Sequence, residues 1–279
     1  MTRGLTSATT PGKSRFDDIY NEPDPRVYFR RLAPLEYEIP HHAQDVFRRT
    51  RADRAAAHGA ADGPVTVLDL CCSYGINAAL LNHHLTLAEL YAHYTSPETE
   101  ALTTEELIGV DKEFYASRRR ADATPVIGLD AADRAVSYAL AVGLLDDAYA
   151  ENLERHSPGP QLRRAVAGAG LITVTGGIGY ITHRTFEALL ECARVPVWVT
   201  AFVLRTVPYQ SVITSLADYG LVTRTDYSRT YPQRLFTGPA EQRSAVEQTL
   251  GTGYDPTGLE TEGRYHTQLY QSRPRPRPA

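Results

Sequence analysis

Lysine is almost absent from this 279-residue chain: Lys13 and Lys112 are the only two, and 27 arginines supply the rest of the positive charge. That excess has the character of a GC-rich genome and does not by itself point to a chemistry. The 29 basic residues against 33 acidic ones leave a formal net charge of −4, so the basic surplus that a nucleic-acid partner requires is missing. Cysteine is scarce too. Cys71 and Cys72 are adjacent at the end of an apolar run and Cys192 stands alone, which makes neither a disulfide framework nor a C-x-x-C metal site. No apolar run approaches the roughly 18–20 residues of a membrane helix, and the opening residues lack the apolar stretch of a secretory signal. The expectation is a soluble, reduced, cytoplasmic protein with no membrane and no nucleic-acid partner. With 42% apolar residues it can bury one large core.

Both ends read as unstructured. Residues 1–15 are small and polar, and Ser272–Ala279, an Arg-Pro alternation, favours polyproline conformation over packing. Residues 16–60 read as a helical segment that acts as a lid, 61–250 as the main domain, and 251–279 as a tail. From Val65 onward apolar runs alternate with helical patterns. Strands are expected at 65–70, 125–129, 171–175 and 195–203, and at 221–225 with 231–236 as a closing antiparallel pair. Helices are expected over 77–84, 131–142, 182–193 and 209–219. Strands separated by helices imply parallel β-α-β units, hence a doubly wound α/β sheet. Ligands in such sheets sit beyond the carboxyl ends of the strands.

Leu107–Asp111 and Val126–Asp130 resemble each other, and either could be the second strand. Thr103 with Glu106 three positions on is a capping box, which makes 104–120 a helix and leaves 125–130 as the strand. Residues 93–123 thereby become an insertion between the first two strands.

The first strand ends in Asp69-Leu-Cys-Cys-Ser-Tyr-Gly75. A bend there turns amides and a helix N-terminus towards a ligand, and Gly75 provides a conformation that a side chain would forbid. The dinucleotide pattern GxGxxG is absent, since Cys71 and Ser73 occupy the early glycine positions. The phosphate-loop pattern GxxxxGK[ST] is absent as well, which removes ordinary ATP or GTP binding. A carboxylate at a strand end either binds a ligand or caps the next helix.

Val67–Gly75 resembles motif I of the class I S-adenosylmethionine (SAM) dependent methyltransferases, an apolar strand followed by an acid and alternating glycines. Asp69 and Gly75 match the acid and the last glycine, and Cys71 and Ser73 replace the other two. The resemblance continues through Val126–Asp130 and the later strands, over roughly residues 61–240. It implies a Rossmann-like, mostly parallel seven-stranded sheet with its last strand reversed. The third strand is the weakest part of the match and is placed near 161–169. The implied cofactor is SAM. Its ribose would be held by Asp130 (Asp111 being the runner-up), with Ala131 leaving room for adenine and Asp146 or Asp147 accepting from the adenine amino group. Asn77 either joins the cofactor site or starts its helix.

A sulfonium cation suits aromatic faces. Tyr20, Tyr28 and Tyr37 in the lid segment, and Tyr74 in the turn itself, are the candidates. After the 171–175 strand, Gly176 and Gly177 allow close approach of cofactor or substrate to the backbone. Asp-Pro-Pro-Tyr, Asn-Pro-Pro-Tyr and Pro-Cys are all missing, which disfavours nucleobase and glutamine methylation. The acidic cluster of a Mg²⁺-dependent O-methyltransferase is missing too, so no metal is expected. In-line methyl transfer needs chiefly positioning. A general base is required only for a protonated acceptor, with His183 or the His41–His42 pair as candidates. His83-His84 suits the end of a helix.

The leading expectation is methylation of a small-molecule acceptor in specialised metabolism, with a homodimer left open. One alternative keeps SAM but transfers or cyclises its aminocarboxypropyl group, for example to azetidine-2-carboxylate, releasing methylthioadenosine. Another is a non-catalytic subunit that keeps the fold.

Overall fold

The computed structural model describes residues 19–58 and 64–275. The expected loose N-terminus, 1–15, and the last four residues of the tail lie outside the described residues. Eight strands form one sheet: β1 (Thr66–Leu70), β2 (Val126–Asp130), β3 (Asp147–Ala150), β4 (Ala169–Thr175), β5 (Trp198–Leu204), β6 (Leu221–Thr225), β7 (Tyr231–Leu235) and β8 (Arg264–Pro274). Their order is β3-β2-β1-β4-β5-β8-β6, with β7 also paired to β8. β1 to β5 run parallel and β8 runs antiparallel to β5. This is a doubly wound Rossmann-like sheet, and the order reverses between β1 and β4, which puts the switch point at the end of β1.

Two apolar cores flank the sheet because side chains alternate along each strand. Val67, Leu171 and Phe202 face one core, together with α2 (Ile39–His58), α3 (Ile76–Asn82) and α7 (Asp133–Ala141). Leu68, Ile172 and Val199 face the other, with α8 (Pro160–Val166), α9 (His183–Cys192) and α10 (Gln210–Asp218). Helix α2 buries Ile39, Ala43, Val46 and Phe47 on the first face. Burial is worth about 1.5–3 kcal/mol for each of the larger three.

Three expectations are corrected. The third strand is Asp147–Ala150, whereas Pro160 at the first turn of α8 starts a helix in the stretch where that strand was sought. The sheet has eight strands rather than seven, and β6 and β7 do not pair with each other. They lie end to end along one edge of β8, against its residues 270–274 and 264–267. Finally, 264–274 belongs to the sheet: β8 is central, and the buried Arg205–Glu260 pair at 2.6 Å anchors the approach to it after α11 (Pro239–Gly251).

Residues 19–38 and the insertion form one helical cap, whereas α2, expected to belong to the lid segment, packs on the sheet. The cap contains α1 (Arg26–Leu32), α4 (Leu87–Tyr94), α5 (Pro97–Glu100) and α6 (Thr104–Ala116). The Thr103–Glu106 capping box opens α6 as its sequence requires. Phe29 of α1 stacks on Tyr94 of α4 with ring centroids 4.7 Å apart. Arg26 donates to the carbonyls of Thr99 and Leu102 at 3.0 and 2.7 Å, and to both carboxylate oxygens of Asp24. Asp24 also accepts from Thr104, so α1 and the start of α6 are tied through one ion pair.

Candidate functional site

The turn after β1 takes a path that its own residues resist. Cys71, Ser73 and Gly75 all lie in the left-handed region, with φ of 59°, 49° and 76°. For a side-chain-bearing residue that conformation costs about 1–2 kcal/mol, so something must hold Cys71 and Ser73 there. Asp130, at the end of β2, is part of it. Its Oδ2 accepts the Ser73 amide at 2.9 Å and its Oδ1 accepts the Ala132 amide at 3.0 Å. Burial raises the Asp130 pKa against these two donors. A carboxylate offers about four lone-pair sites, so acceptor capacity remains. Ala131 beside it is exposed.

Asp69 points below the turn, between the sheet and α3. Its Oδ1 accepts from Asn77 at 3.0 Å and from Thr173 at 3.1 Å, while its Oδ2 is buried without a partner. Desolvation dominates and pushes its pKa up to about 7. The Asn77 amide also bonds the Thr175 hydroxyl at the end of β4, so Asn77 links the two central strand ends as well as taking its place in α3. Asp69, Thr173, Thr200 and Gln271 are register partners across four strands, and Gln271 reaches Thr50 of α2 at 2.9 Å. A buried polar row therefore runs under α2 to the switch point.

Opposite the turn lies the stretch after β4. Gly177 is buried against Cys71: a Cβ there would come within 2.6 Å of the Cys71 sulfur. Gly176, at φ 71°, faces Gln233 of β7 and the hydroxyl of Tyr37, at 3.2 and 3.5 Å from its hypothetical Cβ. Glu154, downstream of β3, accepts from the Thr182 amide and from the hydroxyls of Thr182 and Thr185. These bonds pin the far end of the loop that carries Tyr180.

Above the strand ends the cap supplies tyrosines. Tyr74 sends its hydroxyl to the carbonyls of Ile19 and Glu22, 3.2 and 3.1 Å away, and so fastens the N-terminal segment onto the turn. Its ring meets Tyr28 edge-on at 5.9 Å. Tyr28 in turn contacts Tyr20 at 5.9 Å and Tyr37 at 6.3 Å. Burial raises the pKa of all three, and the nearby charges of Tyr180 and Asp130 add to the rise at Tyr20. These phenols are therefore proton-holding donors at any working pH.

The structure thus brings together Asp69, Cys71, Ser73, Tyr74, Gly75, Asn77, Asp130, Gly176 and Gly177 around one strand edge, with Tyr20, Tyr28 and Tyr37 above it. The other candidates are placed elsewhere. Asp146 precedes β3 and Asp147 is its first residue, at the opposite end of the sheet: the Asp146 carboxylate accepts the amide of Val126, the first residue of β2. The residues that leave β3 on the ligand edge are Glu151 and Asn152. His183 opens α9 half-buried and shares no hydrogen bond or ring contact with the tyrosines among the described residues. Asp111 lies on α6, fully buried, and accepts from Tyr94, Tyr138 and His93 at 2.5, 2.7 and 2.7 Å. It is the polar centre of the cap, far from the role of ribose ligand. His42 sits on α2 beside Glu38 and Tyr231. His83 follows α3 with its ring bonded to the Ala79 carbonyl.

Gln233 and Tyr180 are the site residues that sequence reasoning missed. Tyr180 follows a glycine run and could have been taken from it. Gln233 carries no local signal, since its neighbours come from β4 and the cap.

No protein-family model matches the chain, and no curated protein matches it. Among solved structures it is similar to magnesium protoporphyrin IX methyltransferase (ChlM) from Synechocystis PCC 6803 with bound SAM. The identity is 12%, over 98% of this chain and 100% of that one, with a TM-score of 0.40. It is also similar to the [4+2]-cyclase SpnF (11% identity, 82% and 81% of the two chains, TM-score 0.41). N-methyltransferase NodS from Bradyrhizobium japonicum WM9, in complex with S-adenosylhomocysteine, gives 11% identity over 82% and 87%, with a TM-score of 0.39. Identities and scores this low transfer neither substrate nor cofactor. No group of three or more side chains suited to a metal ion occurs among the described residues, and no helix there is long and apolar enough to cross a membrane.

Proposed function

We propose that this chain is a SAM-dependent transferase that methylates a small-molecule acceptor. The observation that carries the reading is the β1 turn: three alternating left-handed residues, the middle one held by the Asp130 carboxylate, with buried polar atoms left over. Asp69 Oδ2 and Ser73 Oγ are both buried without partners. Such groups are uncommon in native proteins and call for a ligand or water.

The residues present fit SAM. Asp69 Oδ2 offers an acceptor for the ammonium group. Asp130 keeps lone pairs for the ribose hydroxyls, Ala131 leaves space beside it, and Glu151 or Asn152 replaces Asp146 at the adenine end. Tyr20, Tyr28 and Tyr37 present aromatic surface to a cation, at about 0.5–2 kcal/mol per contact. When bound, SAM supplies a methyl group activated by a sulfonium.

The chain's own contribution is positioning. Helix α1 and the insertion close over the strand ends and exclude water, and Tyr74 fixes that cap to the turn. The tyrosine hydroxyls, with raised pKa values, donate hydrogen bonds rather than remove protons. These hydroxyls therefore suit an acceptor that arrives unprotonated.

The test is incubation with methyl-labelled SAM and a small-molecule extract, followed by identification of the nucleoside released. S-Adenosylhomocysteine with label in a small product supports methyl transfer. Methylthioadenosine assigns the aminocarboxypropyl reaction instead, and release of neither nucleoside from protein that binds SAM points to a non-catalytic subunit.

A further inference from the structure

Gln233 is a buried side chain that the fold leaves without a task. It is 3% exposed and its Oε1 has no hydrogen-bond partner. Its backbone is committed elsewhere, the carbonyl accepting the amide of Glu38 at 2.8 Å. Its Nε2 faces Gly176 from one side and the Tyr37 hydroxyl faces it from another, 3.2 and 3.5 Å from the same point. Tyr37 has a donor to spare. Tyr28 meets Tyr37 edge-on with ring centroids 6.3 Å apart. No carbonyl or carboxylate takes the Tyr37 proton among the described residues, so it is left for something else.

We infer that Gln233 and Tyr37, across Gly176, form the acceptor subsite, and that the acceptor carries adjacent N–H and C=O groups, as a carboxamide or lactam does. Gln233 Oε1 takes the N–H, while Gln233 Nε2 and Tyr37 donate to the carbonyl. A ketone or ester has nothing to offer Oε1. A carboxylate fits no better: it also lacks a donor, and Arg234, whose charge is felt at Tyr37, is held by Glu241 at 2.7 and 3.1 Å. A side chain at Gly176 would crowd both groups, its Cβ lying 3.2 Å from Gln233 Nε2 and 3.5 Å from the Tyr37 hydroxyl. The inference rests on the SAM reading in one respect, that this end of the site takes the acceptor rather than SAM.

The probes are benzamide and 2-piperidone against methyl benzoate and cyclohexanone, titrated by saturation-transfer NMR into protein saturated with S-adenosylhomocysteine. The amides are expected to bind at least tenfold more tightly than the matched ester and ketone. Gln233→Leu should abolish that preference while leaving S-adenosylhomocysteine affinity within about threefold. Tyr37→Phe should weaken amide, ester and ketone alike by about threefold to tenfold and leave the preference in place, and Gln233→Met carries the test of the preference if Gln233→Leu does not fold. Equal binding of amide and ester, or a preference that survives Gln233→Leu, overturns the inference. A tenfold loss of S-adenosylhomocysteine in Gln233→Leu overturns it too, by placing Gln233 on SAM. If the wild type binds no S-adenosylhomocysteine, the SAM reading fails by itself. The same titration without it still decides the subsite: an amide preference lost in Gln233→Leu supports it, and no preference overturns it.

Discussion

Asp130 and Ser73 are joined by a carboxylate-to-amide hydrogen bond of 2.9 Å, so the end of β2 fixes the conformation of the turn that leaves β1. Asp130→Ala removes this bond and the one to Ala132. The loss of two charge-assisted bonds at a part-buried site is expected to cost about 1–3 kcal/mol of stability. SAM affinity should fall by more than tenfold, because the ribose loses its acceptor and the turn loses its support. Thermal unfolding and calorimetric titration read the two effects separately.

Ser73→Gly is expected to stabilise the ligand-free protein. The substitution relieves a left-handed φ of 49° and removes a buried hydroxyl that has no partner. These gains outweigh the extra backbone entropy of glycine, for a net of about 0.5–1 kcal/mol. Denaturant unfolding should show a higher midpoint with an unchanged slope.

Gly177 and Cys71 exclude each other's side-chain volume. Gly177→Ala puts a methyl 2.7 Å from the Cys71 Cβ and 2.6 Å from its sulfur, and overpacking of this kind costs about 1–3 kcal/mol. Cys71→Gly in the same chain removes both atoms. The double variant should recover most of the loss, and a double-mutant cycle measures the coupling.

Asp69 gives a pH dependence of defined sign. Its folded pKa of about 7 lies above the model-peptide value of 3.8. Between those values the folded state holds a proton that the unfolded state has released, so stability falls as pH rises from about 4 to 7 and then levels off. Asp69→Asn should flatten this component. The comparison of wild type with variant over that window isolates it from Asp130 and Glu260, whose pKa values burial also raises.

Arg26→Ala should open the cap. It deletes the bonds to Thr99 and Leu102 and leaves Asp24, 8% exposed at the side chain, without its cation. Breaking a buried pair from one side costs about 3 kcal/mol. Hydrogen exchange should rise in α1 and at the start of α6 before it rises in the sheet.

What the sequence made legible was local. Val126–Asp130 and Ala169–Thr175 are apolar runs, and the α6 capping box is a four-residue signal, so each declares itself without its neighbours. β3 did not, because it is a four-residue edge strand with exposed ends and no β-branched residue. β8 did not, because its Arg-Pro ending hides a strand whose partners in β5 are distant in the chain. The error at Asp146 follows from the missing β3: without that strand, the acids at its start looked like residues after a strand end. Asp69, Gly75 and Asp130 were readable from a motif. Gln233 was not, since its surroundings exist only after β7, Gly176 and Tyr37 have folded together.

The central claim, that the β1 turn and the end of β2 form a SAM site, is tested most directly by calorimetric titration of SAM into the wild type and into Asp130→Ala. The account predicts one SAM per chain in the wild type and at least a tenfold weaker affinity in a folded Asp130→Ala. No binding by the wild type, or equal affinity in the two proteins, would contradict it.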